Sequence, residues 1–202
     1  AKGLVEYADG MGVMLSIGQA EEAVNAYRTS YAKVKNCWYL MGQAAIEATR
    51  NPGKAFRAGK VLLKVTGSTL WMQLPSGRLI CWQRPEVVEE YTPWGKLTDM
   101  IYVVSQNTFT RKWGRNKLIG SSIFQSSVQG TARDFLAEPA LRLEGEGVCI
   151  INLVHDEILS LALEQDAKEI EKLMMLEMTR PPTWASDFPL AAESWIDTRY
   201  RK

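Results

Sequence analysis

Histidine occurs once in this chain and cysteine three times, as Cys37, Cys81 and Cys149, too dispersed for the clustered ligand spacing of a zinc module. The thiols read instead as reduced core residues of an intracellular protein. No run of roughly 18 apolar residues exists to span a bilayer, and the first residues lack the basic-then-apolar pattern of a secretory signal. The expectation is a soluble, cytoplasmic protein with no membrane contact. An excess of either charge is also missing: 24 lysines and arginines face 23 acidic residues, for a net charge of +1. No global field therefore marks a nucleic-acid binder, and any such contact has to come from a local patch. Repeats, low-complexity tracts and blocks of like charge are absent, which argues against a solenoid or a disordered tail. What is present is apolar: 46% of the 202 residues are hydrophobic, enough to bury the core of one ordinary domain or two small, closely packed ones.

From Gln19 to Arg50 apolar residues recur at three- and four-residue steps, the mark of amphipathic helix, with a break near Ala32. Asn51-Pro52-Gly53 ends it, because proline cannot continue the ladder. Lys60–Val65, Thr69–Leu74 and Leu79–Trp82 are β-rich and separated by Gly67-Ser68 and Pro75-Ser76-Gly77-Arg78, which predicts a small antiparallel meander. Arg84–Thr98 reads as an irregular connector, followed by a strand over Met100–Val104 and a polar, basic loop. Helical spacing returns over Ser122–Glu144, where Pro139 predicts a kink or break, and Gly145-Glu146-Gly147 closes the helix. Val148–Val154 and Ile158–Leu163 flank His155-Asp156-Glu157 as a hairpin with its ionisable groups at the turn. A helix over Gln165–Met178 and a tail with one short ordered element around Ala191–Trp195 complete the chain. Tryptophans 38, 71, 82, 94 and 113 are expected mostly in packing, with base stacking the minority role.

Asp156 and Glu157 are adjacent carboxylates at the turn of an otherwise apolar hairpin. Such a pair is costly unless solvated or bound to a cation. Hard oxygen ligands on a rigid turn suit magnesium, which takes one or two carboxylates and leaves room for substrate phosphates, so phosphoryl transfer is the chemistry suggested. On spacing alone a polar surface turn accounts for the triplet at least as well. Arg111, Lys112, Arg115 and Lys117, with Asn107, form the one basic cluster with polar neighbours, suited to backbone phosphates or else a solvated loop.

Ile151-Asn152-Leu153-Val154-His155-Asp156-Glu157-Ile158 resembles motif C of family A DNA polymerases of bacteriophage type, and Gln129-Gly130-Thr131-Ala132-Arg133-Asp134 is similar to the Gln-Gly-Thr-Ala-x-Asp segment that opens the preceding palm helix. The stretch Asn107-x-x-Thr110-Arg111-Lys112-Trp113, the Leu74–Arg78 turn and the ending Pro189-Leu190-Ala191-Ala192-Glu193-x-Trp195…Arg199-Tyr200-Arg201-Lys202 also look phage-like, so the resemblance covers essentially the whole chain. It implies an α+β fold. Residues 1–55 would be a helical fingers remnant, 56–104 a β-meander insertion and connector, and 105–202 a carboxy-terminal palm whose antiparallel hairpin packs on helices. It further implies a DNA-directed DNA polymerase acting in the host cytoplasm on primer-template DNA and deoxynucleotides. Asp156 would be the metal-binding aspartate, Glu157 a weaker or indirect ligand, and His155 a contact near the primer terminus. Gln129 would reach the minor groove, whose acceptors are present on every correct pair. Gln125, Arg133, Asn107, Arg111, Lys112, Arg115 and Lys117 would join it in binding DNA, while Arg133 and Asp134 would pair or support the site.

The two-metal mechanism needs aspartates from two distant segments. Nothing before Gln19 resembles motif A, with its Asp-x-Ser-x-x-Glu pattern, and Lys2 is followed at the nucleotide-helix interval by Gly10-Met11 rather than Tyr-Gly. The nucleotide-binding residues are therefore left unassigned. Magnesium would be shared with an aspartate of a second polymerase chain carrying motif A, the thumb and most of the fingers, across an obligate interface of more than ~2,000 Å². An excised fragment, one subunit of a split enzyme and a catalytically silent relic that binds DNA or the replisome stay open. A near-complete fingers-to-terminus unit favours the split subunit. A single-subunit RNA polymerase fragment is less favoured, because of Glu157 and Gln129-Gly130-Thr131-Ala132.

Overall fold

The structure, a computed structural model, describes residues 1–92, 95–107 and 110–200. Trp94 and the terminal Arg201 and Lys202 of the sequence motif lie outside the described residues. Helices and strands alternate in blocks, giving an α+β chain: α1 (Lys2–Gly10), α2 (Ile17–Ser30), α3 (Ala32–Arg50), β1 (Ala55–Ala58), β2 (Val61–Thr66), β3 (Thr69–Gln73), β4 (Leu79–Tyr91), β5 (Leu97–Gln106), β6 (Trp113–Leu118), α4 (Gly120–Gly145), β7 (Cys149–Val154), β8 (Glu157–Leu161), α5 (Ala167–Thr179) and a short 3-10 helix at Thr183–Ala185. Strands β1 to β6 form one sheet in chain order and β7 pairs with β8 alone. Two compact units result: Ala1–Trp71 with Cys81–Gln125, and Met72–Ile80 with Ser126–Lys202.

In the first unit, Ser16 and Gln19 form a capping box. Gln19 N–H donates to Ser16 Oγ at 3.2 Å and Ser16 N–H to Gln19 Oε1 at 3.0 Å, satisfying two of the donors a helix start leaves free. Tyr31, at φ −110° and ψ 44°, ends α2 and starts α3, the break expected near Ala32. The face of α3 toward β1, β2 and β5 is built from small residues, with Ala45 and Ala48 fully buried, and β2 turns Val61, Leu63 and Val65 inward in strict alternation. Close approach continues at Gly120, where a side-chain carbon would sit 1.9 Å from the Trp38 carbonyl oxygen. Any residue but glycine there forces backbone apart.

Three expectations are corrected, the third reaching into the second unit. Residues 84–91 are strand rather than connector: β4 continues to Tyr91 and pairs antiparallel with β5, as in Val87↔Ile101 and Tyr91↔Leu97. The turn-like signal came from a bulge between Gln83 and Glu86, where Arg84 takes φ +50° and Pro85 needs no ladder hydrogen bond. The basic loop after β5 is mostly strand β6, in register Tyr102↔Lys117 and Val104↔Arg115. Its charges are satisfied across the sheet. Arg115 pairs with Glu86 at 2.6 Å and stacks 4.5 Å above the Tyr102 ring, and Lys117 pairs with Glu90. The thiols are free but not core: Cys37 is half-buried and Cys81 and Cys149 are exposed, the latter two at outward positions of β4 and β7. Of the tryptophans, Trp38, Trp71 and Trp82 are half-buried, while Trp113 is 71% exposed.

In the second unit, α4 runs through Pro139. The turns around that proline are held from outside, by Arg142 donating to the Glu177 carboxylate and carbonyl and by Trp184 Nε1 donating to Glu138 at 2.7 Å. External bonds of this kind offset the one that proline cannot make. The helix ends in a Schellman motif: Gly147 at φ +85°, with Val148 N–H donating to the Leu143 carbonyl at 2.9 Å and both side chains buried. No element forms at Ala191–Trp195; residues 186–200 run irregularly and their side chains, rather than a backbone ladder, tie them down.

Candidate active-site hairpin

Strands β7 and β8 pair antiparallel up to Val154↔Glu157, leaving His155-Asp156 as a two-residue turn. Apolar β-branched and leucine residues on both sides make the strands, and the turn takes the residues able to tolerate it. His155 adopts φ +53°, a left-handed conformation for which histidine is among the less penalised non-glycine residues. A bulge between Ile150 and Asn152 shifts the register short of the turn, and bulges of this kind re-aim side chains. His155 and Asp156 are exposed and Glu157 is half-buried.

Among the described residues the Glu157 side chain has one hydrogen-bond partner. The Tyr200 hydroxyl donates to Glu157 Oε2 at 2.8 Å, and this bond holds the Tyr200 phenol above its ordinary pKa. Among the described residues no group of three His, Cys, Asp or Glu side chains stands ready to hold a metal; the turn contributes two carboxylates. Two hard oxygen donors on a strand turn are a donor set that fits a partly hydrated magnesium ion.

On α4, Gln125, Gln129 and Arg133 recur at four-residue steps and are all exposed. Gly130, between them, is explained by packing: a side-chain carbon would come within 2.7 Å of Leu74 Cδ1 and 3.0 Å of Ile80 Cδ1, at the tip of the β3–β4 hairpin. Arg133 does not pair with Asp134. The buried Asp134 instead accepts from Arg78 Nε at 2.6 Å and from Ser76 Oγ at 2.5 Å, while Arg78 also donates to the Gly130 carbonyl at 2.5 Å. The motif aspartate thus fastens the 72–80 turn to α4.

The remaining predicted DNA contacts belong to the first unit. Asn107 shapes the connection between β5 and β6, its Oδ1 accepting from Thr110 N–H at 2.9 Å and its carbonyl from Arg111 N–H at 2.9 Å. Arg111, at φ +57°, and Lys112 are exposed at that connection with no ion pair among the described residues, next to exposed Trp113. Arg115 and Lys117 are committed to Glu86 and Glu90. Lys117, hydrogen-bonded to Glu90, is held above its usual pKa, and Glu90 below the usual carboxylate value by Lys117 and then Tyr102. Sequence reasoning missed Tyr200 and Arg78 as site residues, since each acts through a partner distant in the chain.

The chain is 32% identical, over 210 aligned residues that span its whole length, to a DNA polymerase of Bacillus phage SP02. It covers 30% of that polymerase's length. No family model matches the chain, and no solved structure does.

Proposed function

We propose that the chain is the carboxy-terminal catalytic part of a family A DNA polymerase, extending a primer 3′ end jointly with a second chain. The observation that carries this reading is the tight β7–β8 turn presenting exposed Asp156 beside half-buried Glu157, in a chain similar throughout to part of a phage DNA polymerase. Asp156 and Glu157 would hold magnesium, with Asp156 the principal ligand; the bound ions supply charge neutralisation at the attacking and leaving oxygens. A second aspartate comes from the partner chain, which also brings the thumb and most of the fingers.

His155 lies next to Asp156 and offers ring donors to the last phosphate or sugar of the primer. Gln129, with Gln125 and Arg133 one helical turn to either side, presents donors to minor-groove acceptors, a check of pair shape that ignores sequence. Arg111 and Lys112 carry the backbone phosphate contacts, positioning DNA electrostatically. Arg115 and Lys117 contribute less, each already facing a carboxylate, and Asn107 contributes by shaping the turn that displays Arg111.

Primer extension tests the proposal. The chain mixed with a larger polymerase chain from the same genome is expected to extend a primer with magnesium, and Asp156→Ala to lower the rate by more than about a hundredfold, beyond the loss usual for an outer-shell partner. Equal extension with Asp156→Ala would sink the assignment.

A further inference from the structure

We infer that Tyr200 is a positioning residue for the Glu157 carboxylate, delivered to the hairpin by a strap formed from residues 183–200. The inference rests on the reading of Asp156 and Glu157 as metal ligands. The strap is fastened at successive points along the second unit. Trp184 Nε1 donates to Glu138 at 2.7 Å, and the rings of Trp184 and Phe188 each lie 4.6 Å from that of Phe135. Ser194 Oγ then donates to Glu171 at 2.9 Å on α5, and Tyr200 to Glu157 Oε2 at 2.8 Å on β8. Each anchor shortens the free chain left before the next, so the last hydroxyl arrives with little conformational freedom to lose.

The chemistry of this last contact differs from that of the buried or cross-strand carboxylates. Glu90, Asp134 and Glu177 each face a lysine or arginine. Such a partner neutralises a carboxylate and would compete with a cation for it. Tyr200 is a neutral donor. It fixes Glu157 through Oε2 and leaves the charge in place, while Oε1 accepts no hydrogen bond among the described residues. One oxygen is held and the other offered, the outer-shell arrangement that orients metal-ligating carboxylates.

The test is Mn2+ binding by the full chain, with the metal alone as probe and free Mn2+ read by electron paramagnetic resonance. Tyr200→Phe, which removes only the hydroxyl, is expected to weaken binding by about tenfold. Added to Glu157→Gln, the same change is expected to cost nothing further, because the carboxylate it orients is gone. Unchanged or tighter binding by Tyr200→Phe overturns the inference, as does an equal loss in the Glu157→Gln background, which would make the strap structural only. Binding that survives Asp156→Asn overturns the metal reading itself, and the role of Tyr200 with it. Binding abolished by Asp156→Asn but indifferent to Tyr200→Phe removes Tyr200 alone.

Discussion

His155 sits at φ +53° between Val154 and two carboxylates, where a side chain on the left-handed backbone costs about 1 kcal/mol. His155→Gly is expected to recover up to about that much stability in a urea titration while lowering primer extension in the two-chain mixture. A gain in both would argue that the histidine has no role at the turn. Glu177 has the opposite character. Buried at 7% exposure, it is held below the usual carboxylate value by its hydrogen bond from Arg142, and more weakly by Arg180. A depressed folded-state pKa stabilises the fold above the unfolded value of about 4, and this contribution is lost as pH falls through the folded one. Glu177→Gln is expected to cost about 2 kcal/mol at pH 7, with the gap to wild type closing below roughly pH 4. A pH-independent gap would refute the assignment. At this scale the sequence displayed His155, Asp156 and Glu157 plainly, since adjacency in the chain is adjacency at a turn. It hid Arg78 behind Asp134 and Tyr200 behind Glu157, because those pairs are made by folding; composition places no constraint on which tail residue meets which strand.

Among the elements, the β5–β6 connection gives the sharpest test. Arg111 and Lys112 are exposed without ion pairs among the described residues, whereas Arg115 and Lys117 already face Glu86 and Glu90. Replacing either of the first two by alanine is expected to reduce the log–log salt slope of DNA binding by about 1, and Arg115→Ala to reduce it by clearly less. Equal slopes would show that the cross-strand pairs open on binding. The same residues explain why strand β6 was not legible. Alternating charge and polar residues in Trp113–Leu118 carry no apolar period, and the strand exists because β5 supplies the ladder and the Tyr102 ring while Glu86 and Glu90 of β4 supply complementary acids. Strand β4 was obscured differently: Arg84-Pro85 resembles a terminus but is a bulge, and the strand resumes beyond it. Amphipathic α2 and α3 and the alternating β2 were legible because one buried face leaves its period in the sequence.

For the whole molecule, Ile151, Leu161, Leu163 and Leu176 are exposed large apolar residues of the second unit. The two units interleave along the chain, since 72–80 belongs with 126–202 while 81–125 returns to the first unit. A truncated chain beginning at residue 81 would lose Ser76 and Arg78, stranding buried Asp134, and would uncover Gly130 where Leu74 packs. It is expected to lack the cooperative thermal transition expected of the full chain by circular dichroism. A sharp transition from the truncated chain would show that the 72–80 turn is dispensable. The interleaving also bears on how such a protein is inherited. A single genetic crossover within this stretch transmits neither unit entire, so exchange between related genes is expected to move it as one block or to leave a hybrid whose Asp134 must find a foreign arginine.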